Sequence, residues 1–210
     1  MNLILLGAPG AGKGTQGELL KKRLGIPTIS TGNMLREAIR NGTQIGMKVK
    51  QHMDNGMLVP DDVVLDIVRE RVNRPDCRNG FILDGFPRTI AQGIALEQMG
   101  IHIDHVISIE VDDAVIEDRM TGRRVCGKCG ASYHIVANPP KICDVCDECG
   151  GELHVRADDA LETVHRRLVI YHKETEALKG FYEELGKLRL VRGDVPIEDA
   201  FKAILGQIGV

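Results

Sequence analysis

The stretch Gly7-Ala8-Pro9-Gly10-Ala11-Gly12-Lys13-Gly14-Thr15 restricts the fold of this chain more than any other. Before it runs NLILL, Asn2 to Leu6, apolar enough for a buried strand; after it comes GELLKKRL, with helical spacing. Strand, Gly-rich turn and helix in that order make a phosphate-binding unit. The glycines let the backbone turn its N–H groups toward phosphate oxygens, and the helix adds its positive N-terminus. Lys13 supplies a point charge for the β- and γ-phosphates. The stretch departs from G-x-x-x-x-G-K-[ST] at Gly14, where Ser or Thr usually ligates Mg²⁺, and Thr15 comes one residue late.

The rest of the chain alternates strand and helix. IPTIS, GFILDGFP, DHVISIEV and LRLVRG read as strands, and DDVVLDIVRERV, TIAQGIALEQMG, DDAVIEDRMTG and PIEDAFKAILGQIG as helices. The order implies an α/β fold with a parallel sheet covered on both faces. Two segments interrupt it. Residues 31–59 read as short helices broken by Gly42, Gly46 and Gly56. Residues 123–159 are rich in Cys, Gly and Asp and lack helical periodicity, which returns from Asp159 through ALETVHRRLVIYHKETEALKGFYEEL.

Bulk composition narrows the function. With 43% hydrophobic and 27% charged residues, the 210-residue chain can build one good core and a small appendage. A formal net charge of -3 argues against a basic nucleic-acid binder, and 3% aromatics with no Trp leaves few platforms for stacking bases. The start MNLILLGAPG has no basic flank or cleavage-type ending, and no run is long enough to span a bilayer. A cytoplasmic location is expected, where clustered thiols more often hold a metal than form disulfides.

A phosphate loop alone leaves GTPases, motors, transport ATPases and small-molecule kinases open. FILDGFPRTIAQ supplies Asp84, Arg88 and Gln92. Asp84 ends a buried strand beside the loop, where carboxylates commonly orient Mg²⁺ through water. Arg36, Arg119, Arg123, Arg156 and Arg167 stand at segment edges. Together they suit transfer of a phosphoryl group between two nucleotides, which gathers several negative charges in one cleft and demands permanently charged donors. The acceptor phosphate is already ionised, so no protein nucleophile is required, and no Ser-His-Asp or Cys-His pattern is evident. His134, His165 and His172 read as surface or packing residues.

GAPGAGKGTQ, STGNMLR, FILDGFPRTIAQ and RADD resemble adenylate kinase in its bacterial long-lid form, over nearly the whole chain. The resemblance implies a P-loop NTPase-type parallel five-stranded sheet flanked by helices, with core residues 1–29, 60–121 and 160–210. A small helical AMP-binding segment would occupy 30–59 and a metal-binding lid 122–159. It implies Mg²⁺-dependent transfer, ATP + AMP giving two ADP, by a monomer. Gly10, Ala11, Gly12, Lys13, Gly14 and Thr15 would hold ATP with Arg119, Arg123, Ser132 and Tyr133. Thr31, Arg36, Met57, Leu58, Val59, Gly85, Phe86, Pro87, Arg88, Gln92, Arg156 and Arg167 would hold AMP. Lys13, Asp84, Arg88, Arg123, Arg156 and Arg167 would carry the chemistry, with Asp158 and Asp159 orienting the lid arginines. The Gln92 amide can donate and accept at once, which suits an adenine edge better than guanine. Asn33 stands where the family usually has Asp, and Val195 where some members place a basic residue.

Five cysteines fall between residues 126 and 149. Pairing Cys126 and Cys129 with Cys146 and Cys149 leaves sixteen residues between the pairs, inside the C-x₂-C-x₁₅₋₂₀-C-x₂-C zinc pattern; Cys143 with Cys146 leaves thirteen and falls short. The family lid agrees with the first choice, leaving Cys143 spare. Four thiolates suit a structural Zn²⁺, and iron or cobalt fits the same cage. Cys77 reads as a small buried hydrophobe. A kinase for another monophosphate, UMP or GMP, is the nearest alternative. A nucleic-acid-binding zinc ribbon driven by an ATPase is the more distant one; residues 123–159 carry five Lys/Arg against six Asp/Glu, too acidic for a phosphate backbone.

Overall fold

Alternating apolar side chains on β1 (Asn2–Leu6) build the protein from its centre outward. In this computed structural model, which describes residues 1–210, Leu3 and Leu5 turn to one face of a sheet and Ile4 and Leu6 to the other, all at most 4% exposed. Two separate cores result. Ile4 and Leu6 pack with Leu83, Phe86, Val106, Leu178 and Tyr182; Leu3 and Leu5 pack with Ile82, Ile107, Ile109, Val191 and Ile204. Burying one such side chain is worth roughly 1.5–3 kcal/mol, so this strand anchors both layers.

Around β1 stand β2 (Thr28–Ser30), β3 (Phe81–Asp84), β4 (His105–Glu110) and, in chain order after three further strands described below, β8 (Leu188–Arg192). The sheet runs β2-β3-β1-β4-β8, parallel throughout, as the alternating pattern implies. Helix α1 (Lys13–Leu24) follows β1. Between β2 and β3 come α2 (Thr31–Arg40), α3 (Gln44–Asp54) and α4 (Asp61–Val72). Helix α5 (Ile90–Gln98) follows β3, and α6 (Asp113–Thr121) follows β4. The chain then forms a separate antiparallel sheet, β6-β5-β7, from β5 (Arg123–Cys126), β6 (Ser132–His134) and β7 (Leu153–His154). Helices α7 (Leu161–Ile170), α8 (Leu178–Glu184) and α9 (Ile197–Ile208) complete the body. No helix is long and apolar enough to cross a membrane.

Two local expectations change. Gly46 does not break a helix; it lies inside the first turn of α3, where the Thr43 hydroxyl caps its N–H at 3.1 Å. A Cβ there would sit 2.2 Å from the Ala38 carbonyl oxygen, so glycine permits α2 and α3 to touch backbone to backbone. The long helical stretch after Asp159 is also not uniform. Residues Tyr171–Thr175 form a π-helical turn, with the Glu176 N–H bonded to the Tyr171 carbonyl at 2.9 Å. The wider turn buries Tyr171 and Thr175 together, and the Thr175 hydroxyl donates to the Arg88 carbonyl at 2.7 Å. No Gly or Pro marks the spot, so the sequence pattern carries no sign of it.

Candidate active site

The phosphate loop connects β1 to α1, at the C-terminal edge of the central strand. Gly10 and Gly12 take φ of +83° and +100°, left-handed values that strain any other residue; a Cβ on Gly10 would also lie 2.9 Å from the Met120 sulfur. Gly12 caps α1 without a side-chain acceptor, and the first turn of α1 holds no acidic residue. The N–H groups of that turn therefore face outward with their partial positive charge, available to an anion. The Lys13 ammonium folds back and donates to the Gly7 and Ala8 carbonyls, both at 2.7 Å. Burial, followed by the nearby Arg88, Arg167 and Arg123, lowers its pKa to about 7 against the attraction of Asp84. Thr15 and Gly14 are exposed, and Gly14 faces the Asp84 carboxylate at the end of β3.

Five arginines from separate elements form one cluster, and three of them, Arg88, Arg123 and Arg167, act on Lys13. Arg88 follows β3 and donates to the Gly85 carbonyl at 2.8 Å. Arg123 begins β5 and grips Asp159 through two nitrogens, one at 2.8 Å. Arg167, on α7, pairs with Asp158 at 2.9 Å. Arg36, on α2, lies 4.0 Å from Asp158 and donates to the Asn33 amide oxygen at 2.6 Å. Arg156 keeps a buried Nε with no partner. Burial pushes Arg88 down to about 10 and Arg156 to about 9, with mutual repulsion among the guanidiniums adding to it. Arg36 and Arg167 are lowered for the same first reason. Asp158 is held below its usual range by Arg167, Arg36 and Arg156 in spite of burial, which opposes them. Six cations share three carboxylates here, Asp84, Asp158 and Asp159. Such an excess attracts anions into the space between them.

A cleft opens beside this array. Thr31, Arg36, Met57, Leu58, Val59, Gly85, Arg88, Gln92 and Arg167 line it together with Asp158, whereas Pro87 and Arg156 do not. Phe86 is fully buried in the core and does not line the cleft. Thr31 donates its hydroxyl to the Gly85 carbonyl at 2.9 Å. The Gln92 amide oxygen accepts from the Arg88 N–H at 2.7 Å and its NH₂ donates to Asp61 at 2.6 Å, which leaves one N–H and one lone pair for a ligand. Arg119 lies apart, at the end of α6, donating to the Gly193 carbonyl at 2.7 Å. Ser132 is exposed on β6.

In the second sheet, the sulfurs of Cys126, Cys129, Cys146 and Cys149 all lie within 4.8 Å of one another. Two sulfur pairs are 3.5 Å apart; bonds of about 2.3 Å to one tetrahedral ion would set edges of about 3.8 Å. The donor set and its spacing fit a metal. Cys143 stays outside, exposed, with its thiol at Asp144. Tyr133, expected at ATP, commits its ring to this cluster: its hydroxyl lies 3.4 Å from the Cys146 sulfur and accepts from the Asp147 N–H at 2.8 Å. That hydroxyl holds the Cys146 thiol down to about 6.

The histidines are less idle than their sequence setting suggests. His172 bridges Glu176 at 2.9 Å and Asp113 at 3.0 Å, and those bonds raise its pKa. His165 meets Glu117 at 2.8 Å. Asp61 is the functional neighbour that sequence reasoning missed. It reads as an ordinary acid in the first turn of α4, yet it also holds the Thr89 hydroxyl at 3.2 Å and so positions Gln92 from another helix.

A family model described as adenylate kinase matches residues 5–187. The adenylate kinase of Caldicellulosiruptor bescii is 53% identical over the full length of both chains. That of Geobacillus sp. is 53% identical over all of this chain and 99% of its own, and that of Bacillus subtilis 51% identical over all of this chain and 98% of its own. With the phosphate loop, the converging arginines and the adjoining cleft, this likeness places the chain in the adenylate kinase family of phosphotransferases.

Proposed function

We propose that this chain transfers the γ-phosphoryl group of ATP to AMP, reversibly and with Mg²⁺, under a lid formed by residues 122–159. The supporting observation is the surplus of six cations over three carboxylates between the loop and the cleft. ATP phosphates would lie on the N–H groups of Gly10 to Thr15, with Arg119 and the backbone of Ser132 and Tyr133 along the nucleoside. AMP would lie in the cleft, its phosphate on Arg36 and Arg88 and its base near Gln92 and the chain from Met57 to Val59. A phosphate oxygen of AMP attacks the γ-phosphorus, and the bond to the ADP leaving group breaks; no proton has to move. Lys13, Arg123, Arg156 and Arg167 stabilise the charge spread over the transferring group. Bound with ATP, Mg²⁺ would neutralise phosphate charge, and Asp84 would hold it through water.

The lid, with the helical segment 30–59, excludes water that would otherwise take the phosphoryl group. The body comprises 1–29, 60–121 and 160–210. The four cysteines would hold a structural Zn²⁺, with no open position for substrate. We expect a cytoplasmic monomer. The test is ADP formation from ATP with AMP, UMP or GMP across a magnesium titration, beside metal analysis of the protein. AMP should be preferred by orders of magnitude; equal turnover of UMP or GMP overturns the base assignment, and no ADP from any pair overturns the reaction.

A further inference from the structure

The two segments that would close over the nucleotides also touch each other away from the site. Arg40, at the end of α2, donates from Nη1 to the carbonyl of Gly127 at 2.8 Å, across 87 residues of chain. Gly127 lies between Cys126 and Cys129, inside the first cysteine knuckle. Its N–H is committed to the Glu152 carbonyl at 3.1 Å, and the neighbouring Lys128 N–H turns toward the Cys126 sulfur at 3.4 Å. The knuckle therefore fixes the direction of the Gly127 carbonyl. On the other side, Arg36 lines the acceptor cleft and Arg40 is four residues on, along the same face of one helix. Neither Arg40 nor Gly127 lines that cleft.

We propose that Arg40 is a positioning residue: its bond to the Gly127 carbonyl latches the acceptor-binding helix to the metal-binding knuckle, so that the two flaps stay shut together. This rests on the two-nucleotide reading above. The bond spans both flaps, so it needs both of them down. The latch therefore acts on residence of the doubly occupied state and not on either nucleotide singly. Because the acceptor carbonyl is held by the cysteine knuckle, metal loading supports closure without touching substrate.

The test uses the metal-loaded full chain and a bisubstrate inhibitor, two adenosines joined through five phosphates. Its dissociation is timed from the wild type, Arg40→Met and Arg40→Lys, with AMP and ATP affinities measured separately. An exposed charge-assisted bond is expected to slow release about three- to ten-fold. Arg40→Met should lose that factor, Arg40→Lys should recover part of it, and single-nucleotide affinities and metal content should stay as in the wild type. Unchanged dissociation from Arg40→Met overturns the latch. Equal weakening of AMP alone also overturns it, since α2 itself would then be disturbed. If the wild type holds the inhibitor no tighter than a single nucleotide, the closed two-nucleotide site is what fails.

Discussion

ATP binding should draw a proton from solvent onto Lys13. With the two flaps closed as in this structure, burial first of all, then Arg88, Arg167 and Arg123, lowers the Lys13 pKa to about 7. Polyphosphate beside it favours the charged form. With a bound pKa of roughly 9, uptake amounts to about 0.8 proton per ATP at pH 8, about 0.5 at pH 7 and about 0.1 at pH 6. The sign follows directly: binding raises the pKa, so protons are taken up, and affinity falls as pH rises. Near pH 8 the fall approaches about tenfold per pH unit. Arg156, held at about 9, adds only about 0.1 proton at pH 8. The assay is titration calorimetry at pH 8 in two buffers of different ionisation enthalpy, where ATP itself no longer titrates appreciably. Lys13→Met is the control and should remove the uptake, at whatever ATP concentration its weaker binding demands. Zero uptake by the wild type at pH 8 would refute the argument, because Lys13 would then carry its charge before the nucleotide arrives.

Removal of one cage sulfur should act on heat resistance before chemistry. Cys149→Ser should lower metal stoichiometry and melting temperature while turnover at low temperature stays largely intact; Cys143→Ser should change neither, and full metal content in Cys149→Ser would disprove the ligand set. Replacing Asp61 by Ala leaves the Gln92 amide and the Thr89 hydroxyl without their acceptor. The KM for AMP should rise roughly tenfold, from about 1.4 kcal/mol of lost positioning, with little change in the KM for ATP. His172 has a raised folded pKa, so its contribution to stability is full below its ordinary value of about 6.5 and fades as pH climbs through the folded value. The melting deficit of His172→Gln should accordingly be largest near pH 5.5 and smaller at pH 9; a deficit independent of pH would exclude the charged bridge to Asp113 and Glu176.

Much of the fold is legible because its signals are local. NLILL, the loop after it and the helix beyond are each specified by neighbours within a few residues, and the sheet they imply is the sheet found. The cysteine pairs are legible from spacing, since thiols that share one ion must recur at short intervals. What escapes is set by distant partners. Asp61 meets Gln92 across 31 positions, and Arg40 meets Gly127 across 87. Nothing around Tyr171 distinguishes a π turn from a regular one, and the partner of its Thr175 hydroxyl, the Arg88 carbonyl, lies on another element. Tyr133, which the family resemblance assigns to ATP, also answers through its ring to a sulfur thirteen residues later.

The cysteine-bearing sheet keeps a hydrophobic core of its own, four buried residues made of Cys126, Tyr133, Cys146 and Leu153, unshared with the two that pin the main body. So small an interior would resist warming poorly without an ion in the cysteine cage. It is a fuse: stripped of metal, the enzyme would fall silent on heating while the body remained folded, and reloading after cooling would restore it. Thermal inactivation and loss of structure are then two events at two temperatures, and the difference between them measures what the ion contributes.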